Sequence, residues 1–118
     1  MARMEPCNWN SIEEERLNPQ FSRRVIHTQN MTIARIKLEK SAVVPEHSHH
    51  HEQISMVEEG SIRFVVEGRE HILRAGDTLT IPPHVKHQVE ALEDTIATDV
   101  FCPVREDWIN GADAYLRR

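Results

Sequence analysis

Residues 45–60 read PEHSHHHEQISMVEEG, and four of the chain's eight histidines, His47, His49, His50 and His51, fall within this stretch. Imidazole binds transition ions and moves protons near neutral pH, so the spacing inside this run carries more information than its density. Side chains two apart on a strand point the same way. His47 and His49 therefore share a face, with His50 opposite, and the pair can aim two ring nitrogens at one ion. Such a set suits Zn, Ni, Fe, Mn or Cu without choosing among them. A histidine-rich loop that binds nothing is the plainer alternative.

Two further features bear on that choice. Gln53 follows four residues after His49, and Gly60 seven residues after that. Residues 76–89, GDTLTIPPHVKHQV, space Gly76, Pro82 and His87 as G-x5-P-x4-H. Antiparallel neighbours in a closed sheet would bring His87 opposite the His47/His49 pair, with Gln53 one short turn along to complete a set of donors. His51 is read as a loop or supporting residue, because a turn between His49 and Gln53 breaks the strand register. His50 and His84 are read as rim residues that touch substrate, and His27 and His71 as structural or exposed.

A second stretch able to do chemistry is TDVFCPVREDW, residues 98–108. Asp99 and Phe101 alternate onto one face of an apolar strand. A carboxylate on the inward face of a barrel is costly unless it is paired or functional. Arg105 follows Pro103 and is placed to reach back toward the barrel mouth. Two readings stand side by side: an Asp99–Arg105 ion pair that stabilises the last strand, or two working groups of an active site.

The elements that must position these residues are mostly strands. MTIARIKLEK alternates Ile33, Arg35 and Lys37 against Thr32, Ala34, Ile36 and Leu38; SIRFVVEG puts Ile62, Phe64 and Val66 on one face. Short strands divided every eight to twelve residues by Gly, Pro or Glu-Asp turns predict an all-β sandwich or barrel. Two stretches suggest helix. NSIEEERLNP carries a capping box at Ser11 and Glu14 and stops before Pro19, and the tail REDWINGADAYLRR predicts a turn or two broken at Gly111.

Composition narrows the field of partners. The 118 residues carry a formal net charge of -5 and 39% hydrophobic residues, enough for one core and little more. No basic run exceeds two residues, which argues against nucleic acid or an anionic membrane as the main partner. No leader-like or membrane-length apolar segment is visible, so the expected location is the cytoplasm. Cys7 and Cys102 stand far apart with no C-x-x-C pattern, and Cys102 is expected to be a half-buried structural thiol.

Taken together, the two histidine-bearing stretches resemble the paired motifs of the cupin family. The first motif usually runs G-x5-H-x-H-x3-4-E-x6-G; here His47, His49 and Gly60 match, and Gln53 stands where Glu is usual. The second usually runs G-x5-P-x-G-x2-H-x3-N; Gly76, Pro82 and His87 match, while His84 takes the place of Gly and Ala91 that of Asn. The resemblance implies an all-β cupin double-stranded β-helix, a jelly-roll barrel, as a single domain over residues 1–118. Its barrel core spans about 30–102, with N-terminal strands before it and a short tail after it. Pairing into a homodimer through FSRRVIH and MTIARIKL is implied as well. With His84 for Gly, easy access to positive φ is lost, and the turn before His87 is expected to be altered.

Within that family the terminal motif Asp-x-Phe-x3-Arg-Glu-Asp-Trp, together with HSHHHEQ, resembles the uronate-linearising cupins of pectin and alginate breakdown, the KdgF type. That resemblance implies one divalent transition metal ion held by His47, His49, Gln53 and His87, with Asp99, Phe101 and Arg105 serving substrate or chemistry. The implied substrate is a small acidic sugar, a 4,5-unsaturated uronate opened to a linear 5-keto-4-deoxyuronate. Three imidazoles and an amide oxygen leave the ion its full positive charge, which favours Lewis-acid work over oxygen activation. The alternatives are another metal cupin such as a dioxygenase, and a non-catalytic module that binds a sugar or an acid.

Overall fold

In the computed structural model, which describes residues 4–118, period two becomes ten strands: β1 (Glu15–Asn18), β2 (Phe21–His27), β3 (Thr32–Leu38), β4 (Val43–His47), β5 (Glu52–Glu59), β6 (Ser61–Val66), β7 (Arg69–Arg74), β8 (Thr78–Ile81), β9 (His87–Ala91) and β10 (Thr95–Cys102). They form two antiparallel sheets, ordered β1-β2-β3-β10-β5-β8 and β4-β9-β6-β7. The all-β architecture is the one that the alternation predicts, and its jelly-roll form is the one that the family resemblance implies.

The inward faces explain where the site lies. Thr32, Ala34, Ile36 and Leu38 of β3 are all buried, as expected, and Ile62 and Phe64 of β6 face them with Val89 and Ala91 of β9. Removing a side chain such as Phe64 from water is worth about 1.5–3 kcal/mol. Toward one end of the barrel the same inward positions turn polar. Along β5 they run Val57, Ser55, Gln53; along β9, Ala91, Val89, His87; along β10, Ala97, Asp99, Phe101. A sheet that keeps its period while changing chemistry builds a polar chamber on an apolar floor.

Two turns deserve a physical account. Gly60, between β5 and β6, has φ +87, and a Cβ there would lie 2.3 Å from the Asp94 carbonyl oxygen, so only glycine fits. His84 has φ 65, and its N–H donates to the His49 carbonyl at 2.7 Å. His84 thus takes the left-handed conformation open to glycine, so positive φ is reached here without one, contrary to the expected loss. Histidine is among the side chains found there more often than most, and the bond ties the two histidine-bearing segments together.

The N-terminal expectation fails in part. Residues Trp9–Ser11 form a single 3-10 turn, capped by Asn8, whose side chain accepts from the Asn10 N–H. Glu15–Asn18 is strand, paired to β2 with Glu15 opposite Arg23, and Leu17 buries its side chain. Sheet pairing overrides the capping-box signal of Ser11 and Glu14; Glu14 instead pairs with Arg24 at 3.1 Å. The tail behaves as predicted: helix α1 (Glu106–Ile109) and a 3-10 turn (Ala114–Arg117) flank Gly111, whose φ is 74. Cys102 is exposed rather than half-buried, since it ends β10 with outward parity; Cys7 is exposed too, and both are free. Among the described residues no helix is long and apolar enough to cross a membrane.

The tail is fastened by charge. Arg23 on β2 and Asp113, both almost fully buried, form an ion pair, and Arg117 adds a contact to Asp113 at 3.4 Å. The Arg23 guanidinium also lies 4.2 Å from the centre of the Trp108 ring. These contacts carry residues 105–116 back across the polar end of the barrel.

Candidate metal centre

His47 ends β4 and His87 begins β9, and the two are register partners in the four-stranded sheet. His49 lies in the loop that leaves β4 rather than on one strand with His47 as the spacing suggested. Gln53, the second residue of β5 in the other sheet, stands opposite Phe101 of β10. Ligating atoms of His47, His49 and His87 all lie within 4.8 Å of one another. Gln53 Oε1 stands 3.1 Å from His49 Nε2. All four residues read from the spacing meet at one point between the sheets.

The hydrogen bonds decide which nitrogens are free. His47 Nδ1 faces the Pro45 carbonyl at 2.7 Å, His87 Nδ1 the Val85 carbonyl at 2.9 Å, and His49 Nδ1 the His51 carbonyl at 3.2 Å. A carbonyl oxygen only accepts, so Nδ1 of His47 and of His87 carries the proton and leaves Nε2 a lone pair. His49 faces an acceptor on each side, and a cation at its Nε2 would select the tautomer that donates to His51. His87 Nε2 is buried with no partner. Gln53 Nε2 donates to Ser55 Oγ at 2.9 Å, which turns Oε1 toward His49. Two acceptors then face each other, an arrangement that a shared cation satisfies.

The electrostatics point the same way. Burial pushes His47 down to about 4, assisted by His87 and Arg105 and opposed by the bond to Pro45. Burial and the nearby Arg105 push His49 down to about 3. His87 is lowered as well, chiefly by burial. All three rings are neutral at pH 7, the form in which imidazole binds metal. Three borderline nitrogens and one amide oxygen fit a divalent transition ion.

Beside this cluster lie the other residues named from sequence. Asp99 is buried opposite Ser55 across the β5–β10 pair. Burial pushes its carboxyl up to about 6, against the Ser55 hydrogen bond and the Arg105 charge. Phe101 packs against His49 with ring centroids 5.8 Å apart. Arg105, only 1% exposed, forks onto Asp107 through Nε at 3.0 Å and Nη2 at 2.8 Å. Its guanidinium lies 4.7 Å from the Phe101 ring and 4.5 Å from that of Trp108. The Asp99–Arg105 ion pair is therefore a correction: Asp107 holds the arginine, and Asp99 is left within reach of its charge but outside its fork.

Of the remaining histidines, His51 is buried, with His50 stacked on it at 3.9 Å and Asp107 Oδ1 3.9 Å from its Nε2. It backs the site rather than entering the cluster. His50, His84, His27 and His71 are exposed, and His27 Nδ1 bonds Thr32 Oγ1 at 2.8 Å. The sequence reading did not single out Asp107 or Tyr115. Asp107 lay inside the quoted terminal motif, and its spacing of two from Arg105 was the available signal. Tyr115 lay in the tail, whose resemblance to these cupins gave it no role of its own, and only the fold of the tail brings it here.

A jelly roll with a histidine cluster at the polar end of its barrel is a cupin architecture. Residues 34–102 match the cupin domain model, and the chain belongs to the cupin family. Within that family it is 31% identical over 98 residues to the pectin degradation protein KdgF of Dickeya dadantii, covering 80% of this chain and 89% of that one. The structure of KdgF from a Halomonas species superposes with a TM-score of 0.79 at 30% identity, covering 84% of this chain and 93% of that one. An RmlC-like cupin from Shewanella frigidimarina superposes at 0.82 with 31% identity, covering 86% and 93%.

Proposed function

We propose that the protein opens 4,5-unsaturated uronates, cyclic enol ethers bearing a carboxylate, to linear 5-keto-4-deoxyuronates. Support comes from the similarity to KdgF proteins together with one observation: a buried carboxyl outside any ion pair, Asp99, beside a cluster of ligand-type side chains and a guanidinium. His47, His49, Gln53 and His87 are the residues that would hold one divalent transition ion. The chemistry such an ion supplies is positive charge beside an oxygen that becomes enolate-like.

The reaction is an isomerisation. The anomeric hydroxyl loses its proton and C1 becomes a carbonyl as the bond from C1 to the ring oxygen breaks. The electron pair stays on the ring oxygen and leaves an enolate at C5, and a proton added at C4 gives the ketone. No atom is gained or lost, so one group that takes and returns a proton suffices. Asp99, held near 6 by burial, populates both forms close to neutral pH, the requirement for that task. Arg105 draws the substrate carboxylate, and Phe101 walls the chamber against water.

The unsaturated acid absorbs in the ultraviolet, and ring opening removes the signal. Purified protein should accelerate its loss well beyond the spontaneous rate with at least one pectin- or alginate-derived unsaturated uronate. No acceleration across such a panel would overturn the substrate while leaving the donor cluster as described.

A further inference from the structure

Tyr115 belongs to neither motif and to no strand, yet it lines the same cavity as His87 and Asp99. The 3-10 turn Ala114–Arg117 carries it, between buried Asp113 and buried Leu116. Its ring centroid is 5.0 Å from that of His47, and its hydroxyl oxygen accepts from Arg105 Nη2 at 2.7 Å. A phenol oxygen that accepts from a guanidinium must direct its own O–H elsewhere. That O–H meets no acceptor among the described residues.

The donors of Arg105 are divided in a telling way. Nε and Nη2 are committed to Asp107, and Nη2 also to Tyr115, whereas Nη1 makes no hydrogen bond among the described residues. Asp107 already neutralises one edge of the guanidinium. The pull that remains for a second carboxylate is diminished, and a neutral donor at the free edge restores it. We infer that the Tyr115 hydroxyl and Arg105 Nη1 together form the seat for the substrate's carboxylate, the phenol donating to one oxygen and the guanidinium to the other. The tail turn is thereby part of the binding site, and acids are selected over neutral sugars by residues from beyond the last barrel strand.

This inference rests on the proposed acidic substrate, and the experiment separates the two. Wild type and Tyr115→Phe, each purified with the metal it carries, are titrated with galacturonate and with its methyl ester by nuclear magnetic resonance. Steady-state assays on the unsaturated uronate run alongside. Phenylalanine keeps the ring against His47, and the thermal midpoint checks that the tail still docks. The seat predicts that Tyr115→Phe weakens galacturonate binding about tenfold, the worth of one hydrogen bond to a charged group. KM should rise in parallel, with the ester unaffected. Wild type that binds galacturonate while Tyr115→Phe binds it equally well overturns the seat and leaves the proposed function standing. Equal weakening of acid and ester, or a lowered midpoint with unchanged acid preference, assigns Tyr115 a structural role and also overturns it. Wild type that neither binds nor turns over any uronate overturns the functional reading, and the seat with it.

Discussion

Asp99 faces Ser55 directly across the β5–β10 ladder, and the serine hydroxyl joins the carboxyl to Gln53. Ser55 has one proton to give. It accepts from the Gln53 amide and donates to Asp99, so the amide that turns its oxygen toward His49 belongs to the same chain of bonds as the buried acid. The donor cluster and the proposed proton carrier are thus oriented by a single hydroxyl.

Gln53→Glu tests that coupling. A carboxylate at position 53 cannot donate to Ser55, so the serine proton must serve either Glu or Asp99, and two negative charges then stand close together. The expected outcome is a protein that keeps its metal, by elemental analysis, yet loses about ten- to a hundredfold in kcat. Full activity with glutamate there would show that the neutral amide has no part in the chemistry.

Asp99→Asn removes the proton carrier while keeping its shape. The variant should retain metal and fold and lose about a hundredfold or more in turnover of the unsaturated uronate. Undiminished turnover would take Asp99 out of the mechanism.

The same substitution makes a prediction about stability. Asp99 is raised from its ordinary value to about 6, mainly by burial, so the folded protein holds this proton more tightly than the unfolded chain. Its contribution is fully favourable below the unfolded value, near 3.8, and is lost as pH climbs through 6. A shift of this size corresponds to about 3 kcal/mol. In urea denaturation of metal-stripped protein, Asp99→Asn should gain on wild type as pH rises from 4 to 7 by roughly that amount. A pH-independent difference would contradict the buried-acid account.

The Arg23–Asp113 pair fastens the tail, and Asp113→Ala leaves the buried Arg23 guanidinium with Glu15, at 2.7 Å, as its remaining carboxylate partner. The expected cost lies below the figure of about 3–5 kcal/mol for leaving a buried charge uncompensated, because Glu15 still neutralises Arg23. Because Tyr115 and Trp108 ride on the same tail, near-ultraviolet circular dichroism should weaken along with the thermal midpoint. An unchanged midpoint would mean that apolar contacts alone hold the tail.

His84→Gly is expected to be tolerated and to stabilise the protein by up to about 1 kcal/mol, since the left-handed conformation costs an L-residue about 1–2 kcal/mol and glycine gives part of that back as chain entropy. The N–H to His49 survives the change. A drop in stability would show that the imidazole itself braces the turn.

Much of the architecture was legible because burial alternates. The inward sets on β3 and β6 were visible as Ala34, Ile36 and Leu38 and as Ile62 and Phe64, whereas the pairing of His47 with His87 was suggested by motif spacing rather than fixed by parity. The first strand was not legible, since Ser11 and Glu14 satisfy a helix-capping rule locally while Leu17 and Arg23 decide the matter through pairing with a distant partner. Arg105 was expected to reach back toward the barrel mouth, with an ion pair to Asp99 as one of two readings. Its true anchor, Asp107, needed the turn of α1 to be known. Tyr115 was hidden for the same reason, because a tail that folds across a barrel leaves no period in the sequence.

Everything proposed depends on three imidazoles and one amide oxygen sharing a cation. Elemental analysis of untagged protein after exhaustive dialysis, set against His87→Ala, measures that sharing without reference to any substrate. The account predicts about one equivalent of a single divalent transition metal per wild-type chain, and a loss of about ten- to a hundredfold in metal affinity or more in the variant. Wild type that dialyses clean, or a variant that keeps a full equivalent, would contradict it.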